Sequence, residues 1–409
     1  MIAPEMYDVV VVGARCAGAP TAMGFARAGY RVLLLDRMRF PSDVVSTQHI
    51  HRPGLALLDR WGLFDRMRAT GCPPMTRMSY SVGEVTISGV IPASDGIDAA
   101  YAPRRFALDD LLARAAVEAG AELHENCTVR EVLCEDGRAT GVRYQDGSGR
   151  LVEVRAHLVV GADGMRSTVA RLVGARTEHT DPTLTCAYYA YWEGLPTDFE
   201  IYERTGALIA ALATNDDRTL VVSYLPQERF AAARRDPEAA YLDAIRSTAP
   251  ALAGLLPAAR RVGRLRGTGS QLNFFRQASG PGWALVGDAG CHKDSVTGTG
   301  ITDAFEQAEL LVAQVGPDLA DRRAVDGALA RFAAGRGDRL TPRYRVALDA
   351  ARLEVPDDRV ELMRWISNDQ PSCDTYLAIA VGLVQPADYP APAGAPEGRE
   401  TPEGEHTWK

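Results

Sequence analysis

The stretch from Tyr7 to Arg37, YDVVVVGARCAGAPTAMGFARAGYRVLLLDR, limits what this chain can become more than any other. Residues 8–12 are short, β-branched and largely apolar, the pattern of a strand in a parallel sheet covered on both faces. They run into a turn, Gly13-Ala-Arg-Cys-Ala-Gly18, then a small-residue helix ending near Ala28-Gly29, then a second apolar strand over 31–35 that stops at Asp36. Such a strand–helix–strand unit takes the ADP half of a dinucleotide. Gly13 permits the turn and Gly18 lets the helix lie close on the sheet. The N–H groups that follow, through Cys16 and Ala17, face a pyrophosphate. Asp36, about 20 residues on, is placed to accept the ribose hydroxyls, with Arg37 beside it. The middle glycine of the usual G-x-G-x-x-G is replaced by Arg15, whose guanidinium is a candidate partner for a phosphate. The plainer alternative is an ordinary glycine turn in an α/β protein.

With 409 residues, the chain is long enough for two domains or one elaborated domain. Hydrophobic residues at 46% with 24% charged are typical of a globular protein, and a formal charge of −8 argues against a nucleic-acid partner. No apolar run reaches the length of a membrane span, and the start of the chain enters the first strand too soon for a signal peptide. Seven cysteines without a C-x-x-C pair fit a reducing, cytoplasmic setting and give no zinc or iron–sulfur pattern, so no metal is expected. Lysine occurs only at 293 and 409, which makes Lys293 conspicuous.

A loop over 38–51 follows the first unit, then a helix from Pro53 to Gly62, alternating strands over 75–90 and an amphipathic helix over 107–119. Three short strands over 128–134, 139–144 and 151–154 read as an antiparallel meander. A buried strand over 158–160 leads to Gly161-Ala-Asp-Gly164 and a helix over 167–173. Residues 181–280 change character, with aromatic and β-branched runs that predict a mainly antiparallel sheet and one helix near 236–247. Another apolar strand lies at 283–286, and 301–353 is strongly helical. Residues 386–409, rich in Pro, Gly and Glu, are expected to be mobile.

Two later stretches specify the dinucleotide. Residues 159–171, VVGADGMRSTVAR, resemble the DG motif of flavoprotein monooxygenases. Residues 283–290, WALVGDAG, with the glycine loop TGTGITDA over 297–304, resemble those enzymes' second FAD motif. In order and spacing the three stretches resemble the single-component, para-hydroxybenzoate-hydroxylase-like FAD monooxygenases and the related geranylgeranyl reductases, over roughly residues 7–315. The fold implied is α/β, a Rossmann-like (glutathione-reductase-like) FAD-binding domain with an inserted, mainly antiparallel substrate domain and a helical C-terminal segment. The corresponding division is 1–74, 101–180 and 281–315 for FAD, 75–100 and 181–280 for substrate, 316–385 helical, and 386–409 as the tail.

The resemblance implies site residues. Asp288 is placed for the ribityl chain, and Asp163 lies near the pyrophosphate and ribose. Arg105, in R-F-A-L-D, matches an R-x-x-L-D helix start whose arginine lies near the cofactor, and Val129 matches an adenine-contacting strand. Thr47 belongs to a loop whose family counterpart runs under the isoalloxazine ring. Gly298, Thr299, Gly300 and Ile301 bring backbone N–H groups to the flavin pyrimidine at a helix N-terminus, where the positive end stabilises charge on reduced flavin. Two departures stand out: Cys291 occupies the family's usual His position in GDAAH, and Ser295 replaces a proline that shapes the oxygen pocket.

The implied function is an FAD- and NAD(P)H-dependent monooxygenase that uses molecular oxygen, through a flavin C4a-hydroperoxide, to hydroxylate or epoxidise a small aromatic or polyketide-like substrate. The alternative is an FAD-dependent C=C reductase of geranylgeranyl-reductase type. In such sites the protein supplies a dry cavity and orientation, so no triad is required and none is found. His49 and His292 are the candidates for proton transfer. Lys293 is read either as an anion-binding residue or as a surface lysine. Tyr188, Tyr189, Tyr191 and Trp192 offer an aromatic wall of which alternation points only some inward. Flavin-dependent halogenases share the first motif but require a lysine soon after it and a W-x-W-x-I-P segment. Neither is present, and that reading is set aside.

Overall fold

The computed structural model describes residues 5–44, 46, 48–315 and 319–383. The expected tail over 386–409 and the candidate Thr47 lie outside the described residues.

The opening strand Glu5–Val12 sits at the centre of an eight-stranded sheet, pairing in parallel with Val32–Leu35 on one side and Leu151–Gly161 on the other. Glu122–His124 and Trp283–Leu285 extend the parallel part outward in the two directions. Alternation divides the opening strand cleanly. Val9 and Val11 pack into a core shared with the surrounding helices, while Val10 and Val12 pack on the opposite face. Helix Gly18–Arg27 lies on the first face between helices Arg105–Glu118 and Gly300–Gln314. The second face is covered by the meander Thr128–Glu135 and Arg138–Gln145, whose Val129, Val132, Val142 and Tyr144 complete that core. A strand buried on both faces has no polar side to present, which is why its sequence is an almost unbroken run of valine.

The strands expected at 151–154 and 158–160 are one continuous element, Leu151–Gly161. Its first half closes the meander antiparallel to Arg138–Gln145, and its second half joins the parallel sheet. Glu153, Arg155 and His157, polar residues in and beside the expected gap at 155–157, belong to it. They alternate toward less buried surroundings on a strand that never bends out of register.

A second sheet of seven strands runs in the order Arg260–Thr268, Thr185–Glu193, Arg218–Pro226, Ala207–Thr214, Phe199–Arg204, Arg77–Val82 and Val85–Val90. All its pairings are antiparallel except that of Phe199–Arg204 with Arg77–Val82. Helices Pro237–Thr248 and Pro250–Leu255 cover one face, where Tyr188, Trp192, Ile209 and Tyr241 pack. The other face carries Tyr189, Tyr191, Val222 and Tyr224 and is partly covered by helices Asp357–Ser367 and Gln370–Ala380. A three-stranded ribbon of Thr177–Asp181, Asn273–Arg276 and Cys291–His292 links the two sheets.

The tightest backbone approach is at the first turn. A Cβ on Gly18 would lie 1.7 Å from the Gly13 carbonyl oxygen, and one on Gly13, which has φ +102°, would lie 2.4 Å from the Ala162 carbonyl. Neither neighbour is a flexible side chain, so Gly18→Ala must move the helix off the sheet. We expect it to lower stability by about 1–3 kcal/mol and to reduce FAD loading, read from Tm and from flavin retained on purification.

Candidate functional site

A cleft of about 900 Å³ runs from the first glycine turn to the face of the seven-stranded sheet that carries Tyr189, Val222 and Tyr224. Gly13, Arg15, Cys16, Ala17, Asp36 and Arg37 line it from the opening unit, and Arg105, Val129 and Asp163 from the elements beside it. Asp288 and the loop Gly298 to Ile301 line its far side. Gly18 does not reach the cleft; it packs beneath the turn.

Asp36 is buried, and its two oxygens accept from the backbone N–H groups of Ala14 at 2.7 Å and Met38 at 2.8 Å. It therefore closes the glycine turn and keeps spare lone pairs toward the cleft. Asp163 is likewise engaged. Its carboxylate accepts from Thr168 N at 2.6 Å and Val169 N at 3.1 Å, bonding the first turn of helix Thr168–Leu172. Asp288, by contrast, is exposed to the cleft and makes no ion pair or hydrogen bond among the described residues.

Arg15 is not an uncommitted phosphate partner. Its guanidinium donates to Asp109 Oδ2 at 2.6 Å and to Ser42 Oγ at 2.7 Å. Asp109 is fully buried and also takes Arg105 Nε at 3.0 Å. Burial alone would lower the Arg105 pKa; the Asp109 carboxylate more than reverses this and holds it above its ordinary value. Two guanidinium groups thus share one carboxylate, leaving one net positive charge beside the glycine turn. The sequence showed Asp109 only as the last letter of R-x-x-L-D, although a buried carboxylate flanked by two arginines was the missing part of the device.

At the far end the only lysine before the C-terminus is neither a surface residue nor a free cation. Lys293 is buried and paired with Asp303, in the first turn of helix Gly300–Gln314. Arg343 donates to Asp303 Oδ1 at 2.9 Å and to Glu306 at 2.7 Å. The four charges sum to zero. Burial would raise the Asp303 carboxyl, but Lys293 and Arg343 pull it below its ordinary value, and Lys293 is held above its own.

His49 does not line the cleft. Its ring packs against His51 and Phe199, burial pushes its pKa well below the ordinary range, and it is a neutral core residue near neutral pH. His292 reaches the cleft, stacked on Phe274 and bonded through Nδ1 to the Leu272 carbonyl. On the substrate side Tyr189 lines the cleft with Ala187, Val222 and Tyr224, while Tyr188 and Trp192 face the opposite core. Ser295, at the family's proline position, donates its hydroxyl to Gln271 Oε1 at 2.6 Å, and Tyr224 bonds to it at 3.0 Å. Asp294 accepts from Thr185 at 2.7 Å in the same network. Cys291, at the usual His position, is a buried thiol pushed up to about 12 by burial.

A glycine turn whose Cβ positions are filled by backbone, a buried carboxylate at the second strand end, a net cation and an open carboxylate fit FAD and define a flavin-nucleotide-binding α/β protein. The chain belongs to the FAD binding domain family, whose model matches residues 6–326, and so to a family of flavin-dependent oxidoreductases. Digeranylgeranylglycerophospholipid reductase 1 of Methanopyrus kandleri is 33% identical over 190 residues, covering 45% of this chain and 46% of that protein. The match thus spans about half the length of that relative. Menaquinone reductase of Mycolicibacterium smegmatis is 28% identical over 74% of this chain and 75% of its own. Among solved structures, the myxobacterial chondrochloren halogenase CndH superposes with a TM-score of 0.78 at 24% identity, covering 92% and 97% of the two chains. PqsL of Pseudomonas aeruginosa superposes at 0.68 and 20%, covering 91% and 99%. These two show a shared fold. No helix among the described residues is long and apolar enough to cross a membrane.

The buried Lys293–Asp303 pair makes a signed prediction. Asp303, with its pKa lowered, contributes stability above the ordinary carboxylate pKa that is lost as pH falls through its folded value. Lys293, raised, contributes below the ordinary lysine pKa and loses it as pH rises further. Lys293→Met is expected to cost about 3–5 kcal/mol, to shrink the part of the acid-side loss of Tm that comes from Asp303, and to flatten the loss above about pH 10. A Tm series across pH checks all three.

Proposed function

We propose that the chain is an FAD- and NAD(P)H-dependent monooxygenase that hydroxylates or epoxidises a small aromatic or polyketide-like molecule, acting in the cytoplasm. The observation that carries this reading is the continuity of one cleft from the nucleotide-binding turn to an aromatic and apolar wall of Ala187, Tyr189, Val222 and Tyr224. FAD bound along that cleft supplies hydride acceptance from NAD(P)H and activation of molecular oxygen. The chain's own part is to hold and orient. Gly13 to Gly18, Asp36 and Arg37 take the ADP half, with Val129 at the adenine. The Arg15–Asp109–Arg105 cluster and Asp163 attend the pyrophosphate, Asp288 the ribityl chain, and Gly298, Thr299, Gly300 and Ile301 the flavin ring. Thr47 is assigned to the loop beneath that ring by resemblance alone. The wall of the second sheet excludes water around the substrate. His292 is retained as a proton-transfer candidate; His49, neutral and away from the cleft, is not.

A reductant site is supported by charge. Arg166 lines the cleft, and Arg266 bears on its wall residue Tyr189; both are exposed and make no ion pairs among the described residues. Arg266 lies in register with Tyr189 on the neighbouring strand. Replacing Arg166 and Arg266 by serine is expected to raise KM for NADPH about tenfold with little change in kcat, as loss of uniform binding does.

The second reading, an FAD-dependent C=C reductase, is favoured by the Ser295 departure and by the reductases among the relatives. Rapid mixing of reduced, FAD-loaded protein with oxygenated buffer separates the two. Monooxygenation predicts a transient absorbance distinct from both oxidised and reduced flavin, whereas slow direct reoxidation together with anaerobic alkene reduction would establish the reductase.

A further inference from the structure

Two groups of cations at the cleft are answered by carboxylates. Arg15 and Arg105 share Asp109, and Lys293 and Arg343 share Asp303 and Glu306. Arg52, buried elsewhere, has both terminal nitrogens bonded to the Ile97 and Pro92 carbonyls. Arg336 is different. It lies on helix Arg322–Ala351, is only 3% exposed, and pairs with no carboxylate among the described residues. Its Nη2 donates to the Arg276 carbonyl at 2.6 Å, while Nε and Nη1 have no hydrogen-bond partner there. Burial pushes its pKa down, yet a guanidinium stays charged near neutral pH. Of the two groups that act on it through space, Glu178 is exposed and Cys291 is a neutral thiol.

This charge stands directly behind the cleft wall. A Cβ on Gly290 would lie 2.5 Å from Arg336 Nη1, so glycine leaves the space that the guanidinium fills. Gly290 takes the place of the last alanine in GDAAH, beside the Cys291 departure. Cys291 lines the cleft and packs against Leu340, which lines it too. Leu340 is four residues beyond Arg336 and shares its helix face. Arg336 is therefore one residue layer behind Gly290, Cys291 and Leu340. Arg276 fixes that layer. Its Nη1 donates to the Ala289 carbonyl and its Nη2 to the Met165 carbonyl, both at 2.9 Å, and its N–H to the Gly290 carbonyl at 2.8 Å. The residue that joins the two later FAD-like stretches is thus the one whose own carbonyl holds Arg336.

We propose that Arg336 sets the reduction potential of bound FAD, standing unpaired behind Gly290 and Cys291 so that its charge favours the reduced flavin ring over the oxidised one. The oxidised ring is neutral. Two electrons with one proton leave it one negative charge, which an unanswered cation stabilises through a medium of low dielectric without touching it. Asp288, exposed in the same wall and unpaired, acts in the opposite sense, and Arg336 offsets it. A buried cation without a counter-ion is costly to the folded protein, and a negative charge that arrives in the cleft on reduction recovers part of that cost. The inference holds for the oxygenase and the reductase readings alike and rests on FAD occupying this cleft.

The test measures the midpoint potential of bound FAD, by equilibration with a reference dye, in the wild type, Arg336→Gln and Gly290→Ala. Glutamine keeps a donor for the Arg276 carbonyl and removes the charge. Affinity for reduced FAD is expected to fall about tenfold more than affinity for oxidised FAD, which lowers the potential by about 30 mV for a two-electron couple. Binding of oxidised FAD, followed by fluorescence quenching, should change little. Gly290→Ala keeps Arg336 in the chain but pushes its guanidinium back from the wall, so a smaller fall of the same sign is expected. An unchanged or raised potential in Arg336→Gln overturns the proposal, because a merely structural role does not move the potential. Should that variant not fold, Gly290→Ala decides alone, and an unchanged or raised potential there overturns it. Failure of the wild type to load FAD, measured beforehand by flavin fluorescence, instead overturns the reading beneath it.

Discussion

The contact between the Gly13 carbonyl and Gly18 sets the geometry of everything around it. At a virtual Cβ distance of 1.7 Å no other residue fits at position 18, so helix Gly18–Arg27 is drawn onto the central strand as closely as backbone allows. That closeness turns the helix N-terminus toward the cleft and brings Ala14 within reach of Asp36. It also places Cys16 and Arg15 against the buried Asp109 of a helix 94 residues away in sequence from Arg15. A wider turn would lose the anion-facing N–H groups and the charge cluster together, because both depend on the same approach.

Charge is managed differently at the two ends of the cleft. Beside the glycine turn, two arginines share one carboxylate and the surplus is positive, suited to a diphosphate. At the glycine loop, Lys293 and Arg343 are balanced by Asp303 and Glu306. The helix N-terminus there contributes its partial positive charge without a full cation added to it. A neutral network beneath a helix end favours a ring that carries negative charge in only one redox state, whereas a free lysine would favour the anion constantly.

The sequence made legible whatever depends on local pattern. The opening unit, the meander, the Asp–Gly motif, the glycine loop and the aromatic strands follow from periodicity and turn residues, and their order implied the cofactor. It did not show relations between distant residues. Arg15 read as a phosphate ligand because Asp109 is far away in the chain, and Lys293 read as surface or anion site because nothing near it announced Arg343. Strand 151–161 was expected as two pieces, and its continuity shows only once its first half pairs in the meander and its second half in the parallel sheet. Tyr189 was read as one of four aromatic wall residues, and only the folded sheet shows that it lines the cleft while Tyr188 and Trp192 face the opposite core.

Position 295 shows how one frame can carry different chemistries. A proline there has no N–H and no hydroxyl, and would shape the pocket by bulk alone. Serine instead donates to Gln271 from both its hydroxyl and its backbone and meets Tyr224, which ties the glycine loop to the second sheet. The tie reaches Asp294 and Thr185 through Gln271, so hydrogen bonds join the loop to the second sheet. The lost proline is thus compensated structurally, because hydrogen bonds supply the rigidity that the ring would have imposed. The remaining difference is polarity: the floor of the pocket near the flavin loop is hydrogen-bonded and internally satisfied. A network that bonds itself in this way leaves the neighbouring Ala187, Tyr189 and Val222 to line the cleft by shape and apolar contact.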